Sequence, residues 1–318
     1  MYMADIILIL IAVIPAIALM IYIYKKDKVE KEPIGLLVAL VIGGAISIIP
    51  GVILEILFED LFLAFLTSTS LIYIIIENFI GVALIEEGVK LAATKLISWK
   101  NKAFNYTFDG VVYAVFVSLG FALFENLEYV LMEETFADSL SVGFWRAILS
   151  VPLHCFCGVF MGVYYAQAKK QSLLGNESKK KHYLRMALLI PSALHGFYDF
   201  CLSVDSLLIE AIFVVFVIAM YISSFRLIRK VSKEDQLQPS GSSVNPSYSA
   251  PDSSVNPSYS ASSTYTNQQY SSQKSSFIGG TAVRSSQNSQ QQNWICKSCG
   301  AANTGNFCTH CGTKRSAL

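Results

Sequence analysis

Long apolar stretches constrain this chain more than any other feature. Residues 3–24, 34–56, 71–97, 109–132, 143–168, 186–204 and 206–225 are rich in Leu, Ile, Val, Phe and Ala. Each is close to the ~20 residues a helix needs to cross a bilayer. In hydrocarbon, backbone N–H and C=O groups must be satisfied within the segment itself. The expected fold class is therefore all-α, a polytopic membrane bundle of about seven transmembrane helices. Charged residues make up 15% of the 318 and hydrophobic ones 53%; a soluble domain carries about 25% charged residues. A net charge of +1 argues against a nucleic-acid partner. The first apolar run has no basic residue ahead of it and no small-x-small cleavage site, so it reads as a retained anchor rather than a cleaved signal peptide.

The loops set an orientation. Lys25, Lys26, Lys28 and Lys31 follow the first run, Lys100 and Lys102 the third, and Lys169, Lys170, Lys179, Lys180, Lys181 and Arg185 the fifth. Glu59 and Asp60 follow the second, and Glu133, Glu134 and Asp138 the fourth, with no Lys or Arg in either loop. By the positive-inside rule this alternation places a multi-pass protein in the cell membrane with its N-terminus outside and its C-terminus in the cytoplasm.

Three regions follow: a membrane domain over 1–233, a linker over 234–293 and a small module over 294–318. The linker is Ser, Gln, Asn and Tyr, with the phrase SSVNPSYSA at 242–250 and again at 253–261. It has too little apolar surface to offset chain entropy, which predicts a disordered tether. The module carries Cys296 and Cys299, then Cys308 and Cys311. Paired CxxC motifs supply four thiolates for tetrahedral zinc, and fewer than about 40 residues do not fold without such a staple. A zinc ribbon is expected, with no open coordination position for chemistry, as a docking module for a cytoplasmic protein partner.

The remaining signal is charge inside the membrane. The third run holds Glu77, Glu86, Glu87 and Lys90; the fourth begins at Asp109 and holds Glu125; the fifth holds Arg146 and His154; the sixth holds His195 and Asp199. Each charge costs at least ~2.5–3.5 kcal/mol at the bilayer centre, so these side chains must face one another. Glu86 and Lys90 are i,i+4 and share a face, as do His195 and Asp199. Glu77 lies on the far side of its helix. Rise along the helices puts Glu86 and Glu125 about 10 Å apart in depth. Hydrolysis by a carboxylate-activated water, a proton or ion pathway, and structural charge pairing all fit this pattern.

The motifs resemble the PrsW family of intramembrane proteases, which is grouped with the CAAX prenyl proteases and the Aph subunit of gamma-secretase. The pattern is EExxK, FxxxE and HxxxD on successive helices, here Glu86-Glu87-Gly-Val-Lys90, Phe121-Ala-Leu-Phe-Glu125 and His195-Gly-Phe-Tyr-Asp199. Arg146, Pro152 and His154 on the intervening helix extend the likeness, which covers roughly 30–225. It implies an endopeptidase acting on membrane-anchored proteins in the lipid bilayer, in the manner of anti-sigma-factor cleavage. It casts Glu86 as the water-activating base assisted by Glu87, and Glu125 as holding the water. His195 and Asp199 would bind the oxyanion, with His154 as a further candidate. Lys90 and Arg146 balance charge.

A metal at the membrane site is left open. There is no HExxH motif and no i,i+4 pair of histidines. Glu86, Glu125, His154 and His195 could still supply mixed ligands, although the balance favours a metal-free site and assigns zinc to the ribbon. The competing readings are a non-proteolytic membrane scaffold with the ribbon as adaptor, and an ion or proton transporter, which the absence of an obvious internal repeat disfavours. The composition suits a prokaryote.

Overall fold

A computed structural model describes residues 2–239, 294–295 and 302–303. The first stretch is helical almost throughout. The helices are α1 (Tyr2–Lys26), α2 (Ile34–Phe58), α3 (Leu71–Ile76), α4 (Ile85–Ser98), α5 (Asp109–Met132), α6 (Phe136–Ile148), α7 (Ser150–Leu173), α8 (Glu177–Ser203) and α9 (Leu207–Lys233). Six described segments are long and apolar enough to cross a membrane: Ala4–Lys26, Ile34–Leu63, Asp109–Met132, Phe136–Leu173, Glu177–Ser203 and Leu207–Lys233. The protein is a multi-pass membrane protein. The expected seventh crossing, 71–97, is continuous helix but carries Glu77, Glu86, Glu87, Lys90 and Lys95, too many charges for the same standard.

Three expected spans differ in the structure. The run at 143–168 is split. Helices α6 and α7 meet at Leu149, whose φ of −110° and ψ of −62° break the helix. Pro152, in the first turn of α7, tolerates this because its missing N–H has no partner there to lose. A continuous 38-residue helix would reach about 57 Å, far beyond the ~30 Å hydrocarbon core. Helix α8 starts at Glu177 rather than 186, and α9 runs on to Lys233 rather than 225. Between α3 and α4, Glu77–Leu84 is wound as π-helix, directly before the paired glutamates.

Helix α5 is the axis of the bundle, with α2 on one side and α7 on the other. The first 14 residues of α5, Asp109 to Ala122, are all buried. A side chain at Gly120 would put its Cβ 2.2 Å from the Val41 carbonyl oxygen, and one at Gly162 would sit 2.4 Å from Val111 Cα. Both crossings therefore bring backbone against backbone, the packing that binds helices where lipid removes the hydrophobic drive. The outward faces of α1, α2 and α9 expose Ile6, Ile14, Val38, Ile46, Val215 and Ile218. These are lipid contacts in a bilayer.

The linker was expected to begin at 234. The chain instead continues past Lys233 as a strap. Thr107 N donates to Gln236 O at 2.9 Å, Gln238 N donates to Asn105 O at 2.6 Å, and Asp235 Oδ1 accepts from Phe108 N at 2.8 Å. Asp235 thus caps α5 from the far end of the helical unit. Separately, β1 (Trp294–Ile295) pairs antiparallel with β2 (Ala302–Asn303). The four cysteines and the repeated phrase lie outside the described residues.

Candidate functional site

Helix α4 supplies the centre. Glu86, Glu87 and Lys90 are all buried, the last two completely. Lys90 Nζ lies 2.9 Å from Glu86 Oε2, 2.9 Å from Glu87 Oε1 and 3.0 Å from His154 Nδ1. It also stands 4.1 Å from the centroid of Phe121, a cation–π contact. An ammonium only donates, so His154 Nδ1 is the acceptor and its Nε2 carries the hydrogen. That Nε2 lies 2.8 Å from Glu125 Oε2, though without hydrogen-bond alignment. Glu125 Oε1 is in turn 3.1 Å from Arg146 Nη2. Arg146 Nε donates to Asn126 Oδ1 at 2.9 Å, and Asn126 Nδ2 donates to the Ala12 carbonyl at 2.8 Å. The chain of contacts runs from α4 through α7 and α5 to α6 and α1.

Helix α8 closes the cluster. His195 Nδ1 is 3.2 Å from Glu87 Oε1 and 3.8 Å from Glu86 Oε2; its Nε2 is 3.2 Å from Asp199 Oδ2. The two imidazoles meet edge to face, with centroids 5.1 Å apart. Gly196 lets α8 approach the π-helical segment, since a Cβ there would be 2.8 Å from Phe79 Cα. The cluster's charges are countered inside the protein, as low dielectric demands.

All six candidate residues of the membrane site are thus brought together, and Lys90 and Arg146 act as their counter-charges. Glu86 and Glu125, expected about 10 Å apart in depth, are linked through Lys90 and His154, and both glutamates line the same cavities. Glu77 lies outside the cluster, as its helical position implies, and accepts from Tyr73 Oη at 3.4 Å. Cys155 and Cys157 are buried in the core. Sequence reasoning missed Glu55, which shares a cavity wall with Glu86 and Glu125. It also missed Asn78, which lines the other cavity. The available signal for Glu55 was a lone acid in a long apolar helix, hidden by its nearness to the expected end of the span.

Two cavities reach the cluster. One, of about 390 Å³, lies between α2 and α5; the other, of about 610 Å³, is lined by Glu125, Arg146, His154, His195, Tyr198 and Asp199 among others. Glu86 borders both, whereas Glu87 borders neither. The donor atoms of Glu86, Glu87, His154 and His195 all lie within 4.8 Å of one another and could hold a metal ion. Glu87 thus takes the place expected of Glu125 in that set. Two carboxylates and two imidazoles suit zinc or a similar divalent ion. The same space holds the Lys90 ammonium, so an ion must displace it.

A separate polar group lies at the basic-loop end. Glu32 accepts from Tyr113 Oη at 2.8 Å, and Asp109 Oδ2 accepts from Asn105 N and Tyr106 N at 2.9 and 2.6 Å. Burial pushes the Asp27 carboxyl up to about 6, against the pull of Lys31. Burial likewise pushes Glu32 up to about 7, against its bonds from Tyr113 and Asp109.

Comparison with known proteins agrees with this geometry. Residues 32–224 match the family described as PrsW family intramembrane metalloprotease. The chain is 36% identical over 215 residues to Protease PrsW of Clostridioides difficile, covering 67% of this chain and 87% of the relative. It is 34% identical over 213 residues to Protease PrsW of Oceanobacillus iheyensis (65% and 90%) and 30% identical over 196 residues to Protease PrsW of Bacillus subtilis (59% and 79%). No solved structure matches the chain. The matched region holds every residue of the buried cluster, and the chain belongs to the PrsW family of intramembrane proteases.

Proposed function

We propose that Glu86 is the general base of this protease. The observation that carries the reading is its position: of the adjacent glutamates, Glu86 alone borders the two cavities. Glu86 takes a proton from a water molecule as the water oxygen bonds to the scissile carbonyl carbon. His195, and His154 across from it, face the same cavity and stabilise the oxyanion. When the C–N bond breaks, the proton passes from Glu86 to the leaving amine. Glu87 positions Lys90 and His195, and Asp199 orients His195 through Nε2. Glu125 is held by Arg146 and His154, so its part is to fix His154 and border the two cavities. If a divalent ion replaces the ammonium among Glu86, Glu87, His154 and His195, it supplies Lewis-acid polarisation of water or carbonyl.

The substrates on this reading are membrane-anchored proteins. Cleavage of an anti-sigma-type partner is the role that the resemblance to PrsW proteases suggests. The same resemblance underlies the kinship with CAAX prenyl proteases and Aph. On this reading the N-terminus lies outside and the C-terminus in the cytoplasm, as the alternation of basic and acidic loops supports. There the segment after the strap tethers a zinc ribbon formed by Cys296, Cys299, Cys308 and Cys311 and able to recruit a cytoplasmic protein. The pairing of β1 with β2 supports a ribbon, because the two strands flank the first cysteine pair in sequence. The test is cleavage of co-expressed single-pass proteins by wild type, Glu86→Gln and His195→Ala at matched levels. Cleavage by wild type alone is expected. Equal cleavage by all three removes the assigned roles, and no cleavage by any favours the scaffold reading.

A further inference from the structure

The cavity between α2 and α5 differs in charge from the one that holds the histidines. Its wall includes Glu55, Glu86, Glu125, Glu128, Glu133 and Glu134 and no Lys, Arg or His. The other cavity carries Arg146, His154 and His195. Glu86 and Glu125 are matched by Lys90, His154 and Arg146, whereas Glu55 has no ion pair within 4 Å among the described residues. Among the described residues, Glu55 therefore faces this cavity without a basic partner.

The cavity runs along α5 as a passage that is open at the end where Met132, Glu133 and Glu134 are exposed. Phe121, Glu125, Glu128 and Met132 fall at i, i+4, i+7 and i+11 on one face of α5, leading from the cluster to Glu133 and Glu134 beyond the helix end. Across from that face, the Glu55 carboxylate leans back one turn along α2. A Cβ placed on Gly51 would lie 3.9 Å from Glu55 Oε1 and 3.8 Å from Phe121 Cε2. The acid is thus turned towards the ring that carries Lys90 on its face, rather than away to lipid. A space of about 390 Å³ accommodates one long side chain with water.

Taking the proteolytic reading as its basis, we propose that this passage is a substrate subsite for a lysine or arginine side chain close to the scissile bond, and that Glu55 is its specificity-determining residue. A cationic side chain entering beside Glu55 can pair with its carboxylate, which a neutral one cannot do. The rest of the wall draws the basic segment in from the end of the bundle where Glu133 and Glu134 lie.

The test uses the full chain in proteoliposomes and single-pass substrates that differ only in one residue. A lysine is walked through the juxtamembrane stretch of an otherwise neutral parent. Wild type is expected to cleave one register about tenfold better than the parent in kcat/KM, mainly through KM. Glu55→Gln should bring that ratio to about one, and Glu55→Asp should restore part of it. Thermal unfolding of both variants in detergent checks that they fold. A wild type indifferent to lysine position, or a Gln variant that keeps the preference, overturns the proposal. So does a fall in both substrates that leaves their ratio unchanged. If wild type cleaves none of the substrates, the proteolytic reading itself fails.

Discussion

Lys90→Met removes the one ammonium at the centre of the site while keeping most of its packing against Phe121. Lys90 is completely buried and touches Glu86, Glu87 and His154 at 2.9, 2.9 and 3.0 Å. Its loss leaves two adjacent buried carboxylates without their shared cation. Breaking a buried pair from one side costs about 3–5 kcal/mol, chiefly through the charge left behind. For a domain of this size that corresponds to a fall in Tm of roughly 6–20 °C. The assay is thermal unfolding of the purified protein in detergent. Glu86→Gln and Glu87→Gln added to Lys90→Met should recover most of the loss, because the stranded charges go with them. A drop below about 1 kcal/mol in the single variant would refute the ammonium as the organising charge. It would point instead to another cation among the same donors.

Other outcomes follow from the same structure. Gly120→Ala forces a Cβ to 2.2 Å from the Val41 carbonyl and should cost at least about 1–3 kcal/mol; Gly35→Ala, with nothing within 4 Å, is the control in the same unfolding assay. Asp27 and Glu32, raised to about 6 and about 7, hold their protons longer in the folded protein than in the unfolded chain. Stability should therefore fall as pH rises from about 4 to about 7; Glu32→Gln should flatten the upper part of that slope and Asp27→Asn the lower, as read from Tm against pH. Metal analysis of the full chain should find zinc that is lost on Cys296→Ser with Cys299→Ser, and zinc retained in that variant would place it in the membrane cluster.

The membrane bundle was legible because hydrocarbon leaves so few choices. Residues 109–132 were bounded as observed, since Asp109 and Glu133 are polar stops on an apolar run. The buried cluster was legible for the same reason: charges in a lipid phase must find one another, and Glu86, Glu125, His154, His195 and Asp199 do. Local windings were not. The π-helix at Glu77–Leu84 lies within a run whose composition does not distinguish it from α-helix. The break at Leu149 falls between two apolar runs with no Gly or Pro at the junction itself, and treating 143–168 as one span concealed it. The strap at 234–239 is held by backbone hydrogen bonds and Asp235, which polar composition does not reveal. Helical spacing placed Glu87 about 100° from Glu86 and left open where it pointed. Its carboxylate turns to Lys90 and His195 because Lys90 sits three residues on, within reach of both glutamates.

The most direct measurement is the cleavage rate of Glu86→Gln beside Glu87→Gln, in purified protein reconstituted with one membrane-anchored substrate. Removing a positioned general base costs typically about 10²–10⁴-fold. That loss in kcat is predicted for Glu86→Gln with folding intact, and a smaller one for Glu87→Gln. A Glu86→Gln variant that turns over at the wild-type rate would contradict the account.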